Sequence, residues 1–235
     1  MGYDRNLTIF SPAGRLFQVE YALEAVKRAP TVVGVRTRKA VVLAAYKQLS
    51  PLEESGLSHQ VSKITDMIGL GASGISSDSR ILLDYARMEA QANLMLYDEP
   101  VEVETLTRKL ATLKQLYTQK AGVRPFGASL LVAGIDQDGG KLFQTDPSGA
   151  YWGFKAVAIG NGAVLAKNEL ESHYTNQLNL DQATQLAVKA LDRASRRELT
   201  SSNVDMATIS QDQLFKKASY NEIKGILQSL QKRRS

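Results

Sequence analysis

The order in which strands and helices are predicted along the chain is the feature that most constrains its fold. Short runs rich in β-branched residues predict strands, and apolar residues three or four positions apart predict helices. The predicted strands span 31–36, 40–46, a pair within 63–73, 128–136, 141–145, 155–160 and 204–210, and the later predicted helices span 163–174, 183–194 and 221–231. Blocks of strands thus alternate with pairs of helices, unlike the strict strand-helix alternation of a parallel sheet. We expect an α+β fold with two antiparallel sheets between helical layers.

Two long helices are predicted side by side in the middle of the chain. The first follows Ser76-Ser77-Asp78, residue types that favour the N-cap position, and the second ends before Gly122 and Pro125. The apolar stripes are Ile81, Tyr85, Met88, Ala92 and Met95 in the first helix and Leu106, Leu110, Leu113 and Tyr117 in the second. This spacing predicts two amphipathic helices.

Composition predicts one soluble domain without cysteine chemistry. The chain has 235 residues, 43% of them hydrophobic, and no Pro-, Gly- or Ser-rich run divides it, so residues 1–235 are expected to form a single domain. No apolar run of about 18 residues occurs, and the first five residues, MGYDR, lack a signal-peptide core, which favours the cytoplasm. Zero cysteines exclude disulfides and thiolate ligands, and two histidines argue against a His-rich site, so no cofactor or metal is expected.

The net charge of +5 is concentrated at the C-terminal end. From residue 216 onward Glu222 is the only acid, and the rest of the chain holds 23 basic and 23 acidic residues. The basic residues of the segment are Lys216, Lys217, Lys224, Lys232, Arg233 and Arg234. We interpret 216–235 as a basic C-terminal helix and tail, because charged chain ends are usually solvated. Nucleic-acid binding is the weaker alternative, since only Tyr220 is available there to stack on a base.

One glycine-rich run has the residue pattern of the dinucleotide-binding fingerprint, G-x-G-x-x-G. The sequence GLGASG at 69–74 follows a predicted strand and precedes a helix. A Rossmann site also needs an acid at the end of the next strand about 20 residues on, whereas Glu89 falls within a helix that another helix follows. We therefore favour the interpretation that these glycines permit close packing. The nearby serines lack the G-x-S-x-G pattern, so no serine nucleophile is predicted.

The most specific pattern lies at the N-terminus. Residues 8–22 read TIFSPAGRLFQVEYA, a Ser-Pro turn followed by an amphipathic helix predicted at 15–29. Together with YDR at 3–5, this segment resembles the N-terminal signature of the proteasome α-subunit family. Similar motifs follow in the same order, YTQ at 117–119, VRPFG at 123–127 and QTDPSG at 144–149. The resemblance covers nearly the whole chain.

This resemblance implies a fold, a function and a set of partners. Members of the family have the αββα N-terminal-nucleophile hydrolase fold, a four-layer sandwich of two antiparallel sheets, and form the seven-membered outer ring of the 20S proteasome. The chain is therefore expected to gate substrate entry, to dock an ATPase regulatory particle or other activators, and to template β-ring assembly. Its expected partners are other α subunits, β subunits and activators, and no membrane is expected as a partner. Its expected location includes the nucleus if the source is eukaryotic.

The same resemblance implies that the chain is not an enzyme. Catalytic β relatives use an N-terminal threonine whose free amine serves as its base. Counting back from Gly34 places Pro30 at the nucleophile position and Thr31 one residue further on, while the acidic position falls on Tyr46 and only Lys63 resembles a retained catalytic residue. Proline has no nucleophilic side chain. A catalytic threonine-protease subunit is the alternative, and helix 15–29, which catalytic relatives lack, argues against it.

Two functional clusters are implied near the N-terminus. Residues 1–14 correspond to the gate tail and turn, in which Pro12 presets the backbone and an aspartate accepts hydrogen bonds from phenols. The gate cluster comprises Tyr3, Asp4, Arg5, Pro12 and Tyr21. The pocket for activator tails, formed between neighbouring subunits, comprises Gly14, Glu20 and Lys63, in which a lysine ammonium suits a terminal carboxylate.

The subunit type is less constrained than the family. The segments DEP at 98–100, YTQ at 117–119 and DPSG at 146–149 resemble eukaryotic α3 or α4 chains most. Seven identical chains and seven different chains are both compatible with the sequence.

Overall fold

The computed structural model describes residues 9–48, 52, 60–195 and 197–232, with residue 232 described by its backbone alone. The helices are α1 (Phe17–Arg28), α2 (Ser76–Tyr97), α3 (Val103–Gln119), α4 (Ala163–His173), α5 (Leu180–Ala194) and α6 (Tyr220–Lys232). The strands are β1 (Val32–Arg36), β2 (Ala40–Tyr46), β3 (Val61–Lys63), β4 (Ile68–Gly74), β5 (Ala128–Asp136), β6 (Gly139–Thr145), β7 (Tyr151–Gly153), β8 (Ala156–Ile159), β9 (Val204–Ser210) and β10 (Leu214–Lys217).

The strands form two five-stranded antiparallel sheets, which confirms the predicted fold class. The first sheet has the order β10-β9-β2-β1-β8, and the second has the order β3-β4-β5-β6-β7. In the first sheet Gly34 lies opposite Leu43, and in the second Gly71 lies opposite Leu131. The predicted strands are present, although β3 ends at Lys63, where the predicted pair begins, and the short strands β7 and β10 were not predicted from the sequence.

Three apolar cores hold the layers together in the order helices, sheet, sheet, helices. The core between the two sheets is built from aliphatic residues of both, such as Leu43, Leu131 and Ile209. A second core lies between the first sheet and α4, α5 and α6, and a third lies between the second sheet and α2 and α3. Burial of aliphatic surface on both faces of each sheet explains why β1, β2 and β5 are almost continuously apolar.

The glycines at 69–74 serve packing, as the sequence interpretation favoured. A Cβ on Gly71 would lie 2.7 Å from Cγ1 of Val32 in the opposite sheet, and one on Gly74, at φ +139, would lie 2.1 Å from the Gly127 carbonyl oxygen. Because such contacts are too close for any side chain, glycine lets the sheets and the neighbouring strand approach each other.

Helix α2 differs from the sequence prediction in two respects. Ser76, Ser77 and Asp78 lie within its first turn, and Ile75 occupies the N-cap without a side-chain hydrogen bond, so the predicted cap is wrong. Ile81, Met88 and Met95 of the predicted stripe are 50%, 57% and 78% exposed. The buried face consists of Leu82, Leu83, Ala86 and Ala90 with Asp78 and Ser79. Small alanines let the helix approach the sheet closely, although they contribute little to apolar periodicity.

The C-terminal segment is docked on the domain at its start. Lys216 and Lys217, predicted to belong to the basic helix and tail, lie instead in β10, because this strand pairs with β9. Their ammonium groups contact Glu222 at 2.7 Å and Asp205 at 3.1 Å. Ile223 of α6 is buried in the core beneath α5. Arg233 and Arg234 lie outside the described residues.

No helix among the described residues has both the length and the apolar character that a membrane-crossing helix needs.

Candidate functional site

The backbone between α1 and β1 is the first part of the candidate site. Ala29 accepts a hydrogen bond from the amide of Asn161 at 2.8 Å, and Pro30 accepts one from the hydroxyl of Ser73 at 2.8 Å. The carbonyl of Thr31 accepts a bond from the Tyr46 amide at 3.0 Å. The helix therefore runs directly into the strand, and every carbonyl of this junction is held by the first or second sheet or the loop after β8.

Thr31 has no features of an N-terminal nucleophile. Its side chain is almost completely buried, and its hydroxyl donates to the backbone carbonyl of Asn161. Its nitrogen is part of the peptide bond to Pro30. A threonine needs a free amine or another base nearby to become nucleophilic, and this residue has no free amine.

A cavity of about 150 Å³ opens beside this junction. It brings together Pro30 and Tyr46, which the resemblance predicts at the nucleophile and acid positions, and Thr31, which follows Pro30. Its remaining lining residues are Arg28, Ala29, Gln48, Asn161, Leu191, Ala194, Ser195 and Arg197. These residues include no carboxylate and do not include Lys63. The cavity thus brings the predicted positions together, and its described lining residues supply no carboxylate.

The described part of the predicted gate cluster consists of Pro12, in the turn before α1, and Tyr21, within α1. The amide of Ser11 donates to the carbonyl of Arg15 at 2.9 Å, and the amide of Gly14 donates to the carbonyl of Ser11 at 2.8 Å. These bonds close the chain around the exposed Pro12. Tyr21 is half exposed, and its ring stacks on Phe17 at a centroid distance of 6.4 Å. Tyr3, Asp4 and Arg5 lie outside the described residues.

Helix α1 is attached to the sandwich through one face. Val19, Ala22 and Val26 are buried, and the helix contacts β4 and β5 of the second sheet. The predicted helix 15–29 is present as Phe17–Arg28, with Leu16 at the N-cap. Packing of this face positions both the turn that precedes the helix and the proline that follows it.

The three residues of the predicted activator pocket, Gly14, Glu20 and Lys63, have different hydrogen-bond partners in this chain. Gly14 has φ +73, a conformation that glycine adopts readily, and no atom lies within 4 Å of the position of a Cβ. Glu20 accepts a hydrogen bond from Nε of Arg15 at 2.7 Å, and this contact holds the pKa of Glu20 below its ordinary value. Within the described ranges, no hydrogen bond or ion pair joins Gly14, Glu20 and Lys63 to one another.

Lys63 is anchored at its backbone and accessible at its side chain. It ends β3, and its carbonyl accepts two hydrogen bonds from the guanidinium of Arg87 in α2, at 2.8 and 3.0 Å. Its ammonium contacts Asp66, and about half of the side chain (48%) is exposed. A rigid backbone with an exposed cation is suited to contact an anionic partner.

Asp78 and Lys114 are two of the buried charged residues that were not predicted from the sequence. Asp78 of α2 accepts two hydrogen bonds from Arg124 and one from the amide of Gly127, which ties the VRPFG segment to the start of α2. Lys114 of α3 is fully buried, and its ammonium donates to the hydroxyl of Thr145 at 2.6 Å, beneath the turn that follows β6. The sequence around Asp78 and Lys114 is typical of a helix and does not indicate burial. Only the position of their partners in the fold distinguishes them from surface charges.

The fold defines a class of protein, namely an αββα sandwich of two five-stranded antiparallel sheets between helical layers. Residues 26–209 match the family described as proteasome subunit, and residues 3–25 match the family described as the N-terminal signature of A-type proteasome subunits. The chain belongs to the proteasome subunit family.

Curated relatives agree with this assignment over nearly the full chain. A protein named as a proteasome alpha subunit from Methanothermobacter thermautotrophicus is 43% identical over 97% of this chain and 93% of its own length. A protein of the same name from Methanosarcina barkeri is 44% identical over 98% of this chain and 93% of its own length. One from Archaeoglobus fulgidus is 45% identical over 95% of this chain and 92% of its own length. None of these names gives a number within the ring, so the resemblance to α3 or α4 stays a prediction.

Proposed function

We propose that this chain is a non-catalytic α subunit in the outer ring of a cytoplasmic 20S proteasome. The residue that supports the proposal most is Pro30, at the position where the family resemblance predicts the nucleophile of a catalytic relative. Its nitrogen is bonded into the chain behind α1, so neither a free amine nor a hydroxyl is available at this position. The signature match over residues 3–25 and the relatives' name support the same assignment.

The first prediction concerns peptidase activity. The purified full chain, freed of β subunits, should hydrolyse fluorogenic peptides no faster than buffer, because Pro30 and Tyr46 supply neither a nucleophile nor an acid. The control is the same chain assembled with catalytic β subunits, which should be active. Hydrolysis that is blocked by a threonine-directed inhibitor and persists after complete removal of β subunits would contradict the proposal.

Exposed apolar residues support assembly with other subunits. Met88, Met95 and Leu96 lie on the solvent side of α2, and Leu96 is 75% exposed. Several large apolar side chains exposed on one helix commonly mark a protein interface. We propose that other proteasome subunits, of the α and β rings, cover this face of α2.

The N-terminal turn supports a gating role. The hydrogen-bonded turn at Ser11–Arg15 fixes the direction in which the N-terminal segment approaches α1. Pro12 lies on the exposed side of this turn. We propose that residues 1–14 close the ring's pore and that a bound activator changes their direction. Pro12 and Tyr21 would then act with Tyr3, Asp4 and Arg5 as the gate cluster.

The second prediction concerns activator docking at Lys63. Lys63→Ala should weaken binding of an activator's C-terminal tail about tenfold, since a charge-assisted hydrogen bond contributes roughly 1.5–3 kcal/mol. Gly14 and Glu20 would complete this pocket. The measurement is activator affinity for assembled particles, together with the stimulated rate of protein degradation. Ring assembly should persist, because the lysine side chain is half exposed.

The control for this prediction is Lys155→Ala, which removes an exposed lysine between β7 and β8. It should leave activator affinity unchanged. Equal affinities of the Lys63 variant and the control would remove Lys63 from the proposed pocket.

A further inference from the structure

A second cavity lies in the helical layer over the first sheet, and it shares no residue with the cavity at Pro30. Its volume is about 310 Å³. It is bounded by the end of α4, by the connection between α4 and α5, by α5 and by α6, and its lining residues are His173, Leu178, Gln182, Gln185, Leu186, Lys189 and Leu230. Leu186 is buried, while Leu178 and Leu230 are partly buried against the same core. The cavity therefore has an aliphatic floor.

The rim of this cavity is held in place by a cluster of charges. The ammonium of Lys189 lies 2.6 Å from Oε1 of Glu169 and 3.1 Å from Nε2 of His173. The same carboxylate lies 3.4 Å from Nε of Arg193 and 3.2 Å from Nδ1 of His173. Glu169 is almost fully buried between α4 and α5. The lysine is thus positioned by its neighbours before any ligand arrives, which reduces the entropy lost on binding.

The balance of charge at this rim is positive. One carboxylate, Glu169, faces two permanent cations, Lys189 and Arg193. Burial disfavours the charged form of Glu169, yet Lys189, His173 and Arg193 together hold its pKa below the ordinary value, so it remains ionised at neutral pH. No acidic side chain is among the described residues that line the cavity. An anion in the cavity would therefore meet the Lys189 ammonium and no carboxylate among these lining residues.

The hydrogen-bonding capacity of Lys189 is incompletely used. An ammonium group has three N–H donors, and within the described parts of the chain two groups, Glu169 and His173, contact it. One donor remains for a ligand oxygen. A single cation above an aliphatic floor matches a monoanion that carries a hydrocarbon chain. The anionic group would contact the ammonium, and the hydrocarbon chain would contact the leucine side chains.

We propose that this cavity binds a small aliphatic carboxylic acid, with its carboxylate on Lys189 and its hydrocarbon chain against Leu178, Leu186 and Leu230. The volume lies at the lower end of ligand pockets, about 300–1,000 Å³, which favours a free acid over a folded or extended protein segment. The proposal is independent of the ring function, because it involves neither Pro30 nor Lys63.

The test measures binding of octanoate to the full chain by isothermal titration calorimetry. Octanoate should bind at least about tenfold more tightly than octanol, because only the acid satisfies Lys189. Lys189→Met should abolish this preference while octanol binding persists. Leu178→Glu, which leaves the Glu169 cluster intact, should weaken octanoate binding at least about tenfold through charge repulsion. Circular dichroism establishes that each variant is folded.

The control variant is Lys224→Met, which removes an exposed lysine of α6 outside the cavity. It should bind octanoate as the unmodified chain does. The proposal is wrong if octanoate does not bind, if octanol binds equally well, or if both cavity variants keep full affinity. Tighter binding of a peptide with a free C-terminal leucine than of octanoate would overturn the assignment to a small acid, and an amidated peptide serves as its control.

Discussion

Replacing Asp78 by alanine should lower the free energy of unfolding by about 3 kcal/mol, as expected when a buried, hydrogen-bonded charge is removed. The Asp78 side chain is almost fully buried, and its oxygens lie 2.6 and 2.8 Å from the two terminal nitrogens of Arg124 and 2.8 Å from the amide of Gly127. Alanine would leave the buried Gly127 amide without an acceptor. Urea unfolding of the full chain, followed by far-ultraviolet circular dichroism, measures the loss.

A matched control lies on the same helix. Asp84 is exposed and lies 3.7 Å from Arg87, so Asp84→Ala should cost less than about 0.5 kcal/mol. Asp78→Asn keeps one acceptor oxygen, so its loss in free energy of unfolding should lie between those of Asp78→Ala and Asp84→Ala. Similar losses for Asp78→Ala and Asp84→Ala would show that the Asp78 contacts do not stabilise the fold.

The loss at Asp78 should also depend on pH. Burial disfavours the charged carboxylate, but the hydrogen bonds from Arg124 and Gly127 outweigh it and hold the pKa of Asp78 below its ordinary value of 3.8. A depressed acid stabilises the fold fully above its unfolded pKa and loses this contribution as the pH falls through the folded pKa. The difference between the unmodified chain and Asp78→Ala should therefore narrow below about pH 4.

Replacing Lys114 by methionine should make the chain's stability less dependent on pH between about 7 and 10. Burial lowers the pKa of the Lys114 ammonium from 10.5 to about 7, against a smaller opposing attraction from Asp146. Between these values the unfolded chain holds a proton that the folded chain has released, so stability rises with pH by about 1.4 kcal/mol per pH unit. Methionine has a similar shape and no proton to release.

The expected result is a stability difference that changes steadily with pH. Relative to the unmodified chain, Lys114→Met should be most favoured near pH 6, and its advantage should shrink as the pH rises to 9.5. The control is Lys109→Met on the same helix, where the partly exposed ammonium pairs with Glu89 at 2.7 Å. Its stability should run parallel to that of the unmodified chain. If the curve of stability against pH for Lys114→Met also runs parallel to that of the unmodified chain, Lys114 does not release a proton on folding.

Local sequence predicted the strands and most helices because their signals are short-range. Alternation of β-branched runs and turns marks β1 and β2 within about fifteen residues. The short strands β7 and β10 were missed because they contain only three and four residues and exist through pairing with β6 and β9. The wrong face of α2 has a similar origin, since the exposed Met88 and Met95 are as apolar as the residues that pack on the sheet.

The sequence by itself determined the family, the order of secondary structure and the absence of a nucleophile at Pro30, because each depends on residue identity and spacing along the chain. The tertiary structure alone decided which charges are buried. Asp78 and Lys114 look like ordinary helical charges until Arg124, Gly127 and Thr145 are brought against them from distant segments. The same holds for the cavity at Lys189, whose walls come from three helices. Burial and charge pairing depend on contacts between remote residues, which local sequence patterns do not specify.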